Sequence, residues 1–417
     1  MIRGIFGNIK LAFFLAFKSI WKGNRWAVLL IIFVMALSFA QLVLTPSIMS
    51  GVTQALNSQQ INTLYGNVLI DPPSNAYYLD DASQIQSQAA TQPGVVGVAP
   101  HLGNSAYIEY NWGATVDPSQ KGNGGNWRVI GIDPDKESRV TTISRSMIAG
   151  TYLSTDDTDQ ILLGVEIAGG PEASSASFLN LGGVNVGDQV RLTYPDGTQR
   201  EYTVKGIFRA RDGEADRQAF VSYQEMISVM GPVFADRASQ ILIKADDSAN
   251  QSQLVADLDS LGISGQVRTW QDYGGAAGGV VSSFDVIASL ISAIGLVVAA
   301  IIMFIVIYIN AMSKKRQIGI LRAIGVNRLA IYISYLCQAL FYAVLGIIIG
   351  GLLFGYVLQP YFAAHPLDLS IGQVSLAIDL STIRNAVVGI ILAAIFAGII
   401  PVINITRHSI IKAIWGS

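Results

Sequence analysis

Three histidines, His101, His365 and His408, and one cysteine, Cys337, are the residues of this chain best suited to hold a metal or act as a nucleophile. They lie far apart in sequence, and no HExxH, CxxC or GxSxG spacing joins them. A single cysteine supplies neither an internal disulfide nor a zinc site built on paired thiolates. Asp156, Asp157 and Asp159 sit close together, but an acidic run between polar neighbours reads as a solvated loop. The glycine-rich stretch KGNGGNWR at Lys121 lacks the Lys-Ser/Thr ending with which a P-loop holds phosphates. It belongs to a polar loop, Gly113–Asn126. The expectation is a chain with no catalytic, metal or cofactor-binding residue of its own, and with no nucleic-acid partner.

The most patterned chemistry is mechanical. From Lys314 to Gly355 the sequence reads KKRQIGILRAIGVNRLAIYISYLCQALFYAVLGIIIGGLLFG. A basic cluster, Lys314, Lys315 and Arg316, leads into a turn bearing Ile318, Ile320, Leu321 and Ile324. Gly325 breaks it, and a new helix begins near Asn327. A plain basic loop explains the charges but not the regular apolar residues between them. Those predict a short helix that docks on something. Beyond it, Gly346-x-x-x-Gly350 and Gly351-x-x-x-Gly355 place small residues at the spacing that lets two helices approach closely.

The elements that must carry this loop are membrane spans. About half of the residues are apolar and only 13% are charged, against roughly a quarter charged in ordinary soluble domains. A helix needs roughly 20 mostly apolar residues to cross the hydrocarbon core. Four stretches qualify: Trp26 to about Leu44, Val286 to Met312, Leu329 to Leu358 and Asn385 to about Ile403. The first is too long and too far from the N-terminus for a signal peptide. No span has a charged residue near its centre, which argues against an ion pathway.

Charge sets the orientation. Arg3, Lys10, Lys18, Lys22 and Arg25 precede the first span, and Lys314, Lys315, Arg316, Arg322 and Arg328 lie between the second and third. Arg407 and Lys412 follow the fourth, and none of these segments holds an acid. Short basic segments stay in the cytoplasm. The expected layout is a cytoplasmic, interfacial N-terminal helix (1–25), span 1 (26–46) and a large extracytoplasmic domain (47–280). Span 2 (281–312), a cytoplasmic loop (313–328), span 3 (329–358), a short outer loop (359–383), span 4 (384–405) and a cytoplasmic tail (406–417) follow. Both termini are thus expected inside a multi-pass protein of the inner, cytoplasmic membrane, in contact with its lipids.

The large segment has soluble character. Strand-like runs begin at Gly66, Gly94, Ser105, Trp127, Gln160, Ala219, Gln240 and Gln266. A hairpin is predicted over Val190–Phe208, turning at Pro195-Asp196-Gly197. Helix-like segments at Asp80–Gln92 and Ser252–Leu261 each lie between strands. The fold class expected is therefore membrane α-helical, with four transmembrane helices and a large extracytoplasmic α+β domain. That domain comprises a split α/β subdomain and an inserted β-rich subdomain at about 113–211.

Lys315–Gly325 resembles the R-x-E-I-G-I-L-R-A-I-G run of the FtsX-like, or MacB-like, permeases, the mechanotransmission class of ABC transporters. Lys315 replaces the first Arg, and Gln317 replaces the usual Glu, which removes any ionic contact that Glu would make. The tail, Gly398-Ile-Ile-Pro401 then Arg407, Ile411 and Ile414, is similar to the family's ending without its second proline and final arginine. Val129–Glu137, Gly150–Leu153, ILLGVEIA, VGDQVRL and YTVKGIF follow the order seen in MacB-like and lipoprotein-releasing LolC/LolE-type permeases.

The resemblance implies a permease subunit that works as a dimer, with a second copy or a paralogue. It implies a separate ABC ATPase that binds the ATP and contacts Arg316, Gln317, Ile318, Gly319, Ile320, Leu321, Arg322, Ile324 and Gly325. The substrate implied is lipid-linked, peptide or drug-like, taken from the outer side of the membrane, with an extracytoplasmic adaptor as a further partner. The alternative within the family is regulation of a cell-wall hydrolase; typical members of that kind have a much smaller outer domain. A membrane-anchored enzyme would need a catalytic constellation, and a passive adhesin would need no patterned loop.

Overall fold

The computed structural model describes residues 12–19, 21, 25–112, 124–173, 179–246, 249–273, 275–369 and 372–407. The chain divides into two compact units, one of residues 1–54, 280–369 and 373–417, the other of residues 55–279 with 370–372. The predicted loop at 113–126 therefore falls largely outside the described residues, as do most of the N-terminal segment and the tail beyond 407.

The first unit is a helix bundle. A short helix, α1 (residues 12–19), precedes α2 (Arg25–Gln60). In this unit α9 (Gly275–Ser313), α10 (Lys315–Ala323), α11 (Arg328–Leu353) and α13 (Leu380–Arg407) follow the large domain. Among the described residues four helices, including α2, α9, α11 and α13, are long and apolar enough to cross a membrane. They enclose a core of Met35, Phe39, Met303, Ile307, Tyr335, Tyr342 and Ile390. Leu290, Ile294, Val297, Ile301 and Ile305, spaced three and four apart on α9, leave a row of large apolar side chains exposed. A row of that kind is stable only in a non-aqueous medium or under a partner.

The helices outrun the sequence boundaries. The first continues to Gln60, as the uncharged run after Leu44 allows, and a π-helical turn, Ile61–Tyr65, extends it. The second starts at Gly275. The third passes through a π-turn, Phe354–Leu358, into α12 (Gln359–Ala364), and the fourth starts at Leu380. The outer loop, expected over 359–383, shrinks to 365–379 and contains two three-residue strands, β11 (Leu367–Leu369) and β12 (Gly372–Val374). Hydropathy marks where apolar residues stop; backbone hydrogen bonding continues past that point.

The second unit combines two architectures on one sheet. Strands β1 (Val68–Asp71), β2 (Val95–Tyr110), β9 (Gln240–Ala245) and β10 (Gln266–Thr269) are ordered β10-β1-β9-β2, each antiparallel to its neighbours. Helix α3 (Ala82–Ala90) links β1 to β2, and α7 (Gln251–Ser260) links β9 to β10. These are two interlocked split β-α-β units, a ferredoxin-like arrangement. Strand alternation explains its two faces: Val68, Ile70, Ile241 and Ile243 pack on Ile85, Leu254 and Leu258 of the helices. Leu69, Ala99 and Leu242 point the other way, onto Val140 and Trp270.

The second architecture is a closed ring. The strands β3 (Gly124–Ile132), β5 (Gln160–Gly164), β6 (Gln189–Thr193), β7 (Gln199–Phe208) and β8 (Gln218–Ser222) join the far half of β2. The pairings run β2-β3-β8-β5-β7-β6 and back to β2. β4 (Met147–Gly150) adds to β7 outside this circuit. Closure abolishes the exposed edges an open sheet would carry. Inward-facing Leu102, Ile108, Val129, Ile161, Leu163, Leu192, Val204 and Val221 fill the ring.

This corrects the insert boundaries of 113–211. The ring takes in β8 at 218–222 and begins inside β2, because the runs at Gly94 and Ser105 form one 16-residue strand. His101 is the pivot of that strand, pairing with Gln240 of β9 on one side and Ile132 of β3 on the other. The short helices α4 (Pro134–Val140), α5 (Val165–Ala168), α6 (Tyr223–Met230) and α8 (Trp270–Tyr273) complete the unit. The predicted hairpin is present as β6–β7, with Gly197 at φ +86° in its turn.

Candidate functional site

The loop between α9 and α11 folds as the sequence pattern requires. Helix α10 ends in a Schellman motif: Val326 N–H donates to Leu321 O at 3.0 Å and Gly325 N–H to Arg322 O at 3.1 Å. Gly325 sits at φ +96°, in the left-handed region that this motif demands of its glycine. Asn327 then caps α11, its Oδ1 accepting from Leu329 N–H at 3.0 Å.

The apolar residues of α10 do not form one face, as their grouping in sequence suggested. Ile318 and Gly319 are buried and Leu321 is half-buried. Ile320 and Ile324 project to the other side, 47% and 72% exposed. Arg316 and Gln317 are exposed, and Arg322 is half-buried. Two isoleucines one helical turn apart thus form an uncovered apolar spot beside a guanidinium, while Ile318 and Leu321, three apart, hold the helix down.

Behind α10 lies a cavity of about 330 Å³, framed by α1, α10 and α11. Leu15, Ile318, Leu321 and Ile331 give it apolar walls; Lys18, Ser19, Lys314, Gln317, Ser334 and Gln338 supply polar groups. Lys314 Nζ donates to Ser19 Oγ. Burial pushes the Lys314 ammonium below the usual lysine range. Ser334 and Gln338 are both 4% exposed, and Gln338 Nε2 donates to Ser334 O at 3.2 Å. The reading from sequence missed this cavity. The signal was there in Ser334 and Gln338, two polar residues one turn apart in an otherwise apolar span.

The four glycines expected to pack divide into two pairs. A Cβ on Gly346 would lie 2.4 Å from Met35 Cβ, and one on Gly350 2.5 Å from the Ala36 carbonyl oxygen. Both therefore let α11 lie against α2. A Cβ on Gly351 would make an ordinary contact with Phe39 at 3.7 Å, and among the described residues nothing lies within 4 Å of one on Gly355. Among the described residues the second motif makes no contact close enough to require glycine. Gly398, singled out only as part of the tail motif, does: its Cβ would meet Ala339 Cβ at 2.7 Å.

A second cavity in the bundle, about 440 Å³, lies between the C-terminal half of α2, the N-terminal part of α9 and the start of α13. Ser50, Ser289, Ser292, Asp379 and Asn385 give it polar groups, with Leu42, Pro46, Met49 and Leu296 as apolar walls.

In the large unit, buried polar groups are tied to one another. His101 Nε2 lies 2.8 Å from Glu137 Oε2, and Glu137 Oε1 accepts from Thr141 Oγ1 at 2.8 Å; His101 and Glu137 are 4% and 1% exposed. Tyr202 Oη donates to Glu225 Oε1 at 3.1 Å and meets Tyr194 Oη at 3.1 Å inside the ring. Burial pushes the Tyr194 phenol up to about 12, and that of Tyr202 further in the same direction. Asp71 accepts from Gln240 Nε2 at 2.9 Å and from the Tyr273 hydroxyl. The rings of Tyr65 and Tyr273 meet at 5.2 Å, and Tyr65 Oη donates to Glu214 Oε2 at 3.2 Å. The two places where the chain joins this unit are thus pinned to each other and, through Asp71 and Glu214, to its sheet and its ring side.

Among the described residues no group of three or more His, Cys, Asp or Glu side chains is placed to hold a metal. Asp156, Asp157 and Asp159 do not converge: Asp157 pairs with Lys205, and Asp159 turns the backbone at φ +53°. The described residues thus comprise a bundle with four helices long and apolar enough to cross a membrane and a large α/β unit in which several buried polar groups are paired.

The comparisons give the family. Residues 28–261 match the MacB-like periplasmic core domain, and residues 289–410 match the FtsX-like permease C-terminal domain. The first match alone spans more than half of the chain, which belongs to the MacB/FtsX-type family of ABC transporter permeases. Permeases of this type work with a separate ABC ATPase, often as dimers. The chain is similar to the periplasmic region of MacB from Actinobacillus actinomycetemcomitans, at 11% identity and a TM-score of 0.36, covering 54% of this chain and 98% of that one. It is also similar to the extracellular domain of the noncanonic ABC-type transporter YknZ from Gram-positive bacteria, at 11% identity and a TM-score of 0.33, covering 49% and 97%. No curated protein matches the sequence.

Proposed function

We propose that this chain is the permease subunit of an ATP-driven machine in the cytoplasmic membrane, and that it receives force from a separate ATPase through the exposed face of α10. The observation that carries this reading is the pair Ile320 and Ile324, uncovered beside Arg316 on a helix whose other side is packed. An apolar spot beside an exposed cation fits a protein-binding surface, whose apolar centre is bordered by polar groups. Arg316, Ile320 and Ile324 touch the ATPase directly in this scheme, while Gln317 borders the cavity behind the helix. Ile318, Gly319, Leu321, Arg322 and Gly325 shape and seat the helix. ATP is bound by the partner.

The one-sided lysines and arginines support a cytoplasmic position for α10 and both termini. The ATPase pushes α10, the long helices tilt, and the outer domain is carried along as a body. This moves a lipid-linked, peptide or drug-like substrate at the outer side of the membrane, with two permease copies or paralogues acting together. The large size of the outer domain favours transport over control of a hydrolase.

The test is co-purification. The Ile320→Glu, Ile324→Glu double variant should lose the ATPase while remaining monodisperse in detergent, because both side chains are already exposed. An ATPase that still co-purifies at the wild-type ratio would remove α10 from the interface.

A further inference from the structure

The cavity behind α10 has a chemistry that force transfer does not need. Lys18 and Lys314 both line it, yet no acid occurs in the sequence from Met1 to Ile70 or from Val286 to Leu367. The three helices that frame it therefore offer no carboxylate. The hydrogen-bond partner shown for Lys314 is the neutral Ser19 hydroxyl, and Lys18 lies over the Phe14 ring with its Nζ 5.6 Å from the ring centre. Two ammonium groups thus share a cavity whose remaining polar groups are neutral. The rest of the lining includes the apolar Leu15, Ile318, Leu321 and Ile331.

Helix α1 fixes the depth of this cavity. Ala12 and Ala16, one turn apart, are buried at 0% and 3%, whereas Phe13, Phe14, Phe17 and Trp21 are each about 60% exposed or more. An uncovered aromatic face on a short basic helix suits the membrane–water boundary. A cavity beside it lies near the level of lipid phosphates, with Ile331 of α11 and, further along that span, Ser334, Tyr335 and Gln338 in its wall.

We infer that this cavity is a binding site for an anionic phospholipid, its phosphate held between Lys18 and Lys314 and its first acyl segments lying on Leu15, Ile318 and Ile331. Ser19 and Gln317 donate to the remaining headgroup oxygens. The lipid thereby joins α1 to the packed side of α10, the side opposite Ile320 and Ile324. The site rests on α1 lying at the membrane boundary. It does not depend on what docks on α10, so its test can fail without touching the ATPase reading, and the reverse also holds.

The experiment uses the full chain, purified in detergent and returned phosphatidylglycerol, phosphatidylcholine with the same acyl chains, or inorganic phosphate alone. Retained lipid is counted by native mass spectrometry and the unfolding midpoint is followed by heating. Phosphatidylglycerol should be retained preferentially and should raise the midpoint. Each of Lys18→Gln and Lys314→Gln should weaken that retention about fivefold, the effect of removing one cation next to an anionic lipid. Lys136→Gln, an exposed lysine of the large domain, should change nothing. Lys18 is itself exposed, so its variant folds and keeps the test sharp if Lys314→Gln does not. Equal retention of phosphatidylcholine, or full retention of phosphatidylglycerol by Lys18→Gln, would overturn the site. An equal midpoint shift from inorganic phosphate would replace the lipid with a free anion and overturn the assignment too.

Discussion

The two units of this chain solve the problem of buried polarity in opposite ways. The outer domain buries several ionisable groups in pairs: His101 with Glu137, Asp71 with Gln240 and Tyr273, Glu225 with Tyr202, although the buried Tyr152 hydroxyl has no hydrogen-bond partner among the described residues. The bundle avoids them, with spans that carry no charge near their centres and contacts made by Gly346, Gly350 and Gly398. Paired groups in a low-dielectric interior resist rearrangement, since moving one strands the other. Close backbone contacts at glycine carry no such penalty when two helices slide or tilt. Under the proposed mechanism the domain keeps its shape while the bundle changes its own.

The sharpest way to break this contrast is at the pivot of β2. His101→Ala leaves the Glu137 carboxylate buried with only Thr141 for company, which should cost about 3–5 kcal/mol. Thermal unfolding of the full chain should show an early loss of the outer domain. A variant as stable as the wild type would mean that the sheet and the ring are not held rigid through this pair.

Asp216 gives a smaller effect with a defined sign. Its Oδ1 accepts from Ala210 N–H at 2.6 Å, and burial, the leading cause, raises its carboxyl from 3.8 to about 6. The folded value lies above the unfolded one, so the folded domain holds the extra proton between those limits. The resulting stability is present below pH 3.8 and is lost as pH rises through about 6. The difference amounts to about 3 kcal/mol. Asp216→Asn keeps the acceptor for Ala210 and removes the charge, so it should flatten this part of the pH–stability profile. An unchanged profile would place the titration elsewhere.

The bundle side is tested by its glycines. Gly346→Ala forces α11 away from Met35 and should cost about 2 kcal/mol by overpacking. Gly355→Ala meets nothing and should stay within about 0.5 kcal/mol of the wild type. Equal effects at the two positions, measured as thermal shifts in detergent, would mean that the α2–α11 contact is not made through Gly346.

How much of this was legible beforehand follows from the period of each signal. Spans announce themselves through some 20 apolar residues and one-sided charge, so the four helices and the docking loop could be read directly. The α10 stop could be read too, because Gly325 is the residue a Schellman motif requires. The assignment of faces could not. Ile318, Ile320, Leu321 and Ile324 look equivalent until the position of α11 decides which are covered. In the outer domain, the strands and both split units were visible in local pattern. The closed ring was not, since β2 pairs with β6 across some 80 residues of chain and with β9 across more. No turn signal encodes such pairings. The cavity behind α10 was hidden for the same reason: Lys18 and Lys314 are 296 positions apart and only the fold brings them together.

The contrast itself is most directly tested by distances between spin labels in the working complex. In a Cys337→Ala background, Gln199→Cys and Asp259→Cys place one label on the ring strand β7 and one on α7 of the split sheet. The account predicts that ATP leaves this distance within one outer domain unchanged to about 1 Å, the scale of backbone shifts in preorganised domains. The distance between two Asp259→Cys labels on paired permease copies should change by several times that. A shift between ring and sheet within one domain, with the distance between copies fixed, would contradict it: the outer domain would then be the part that flexes.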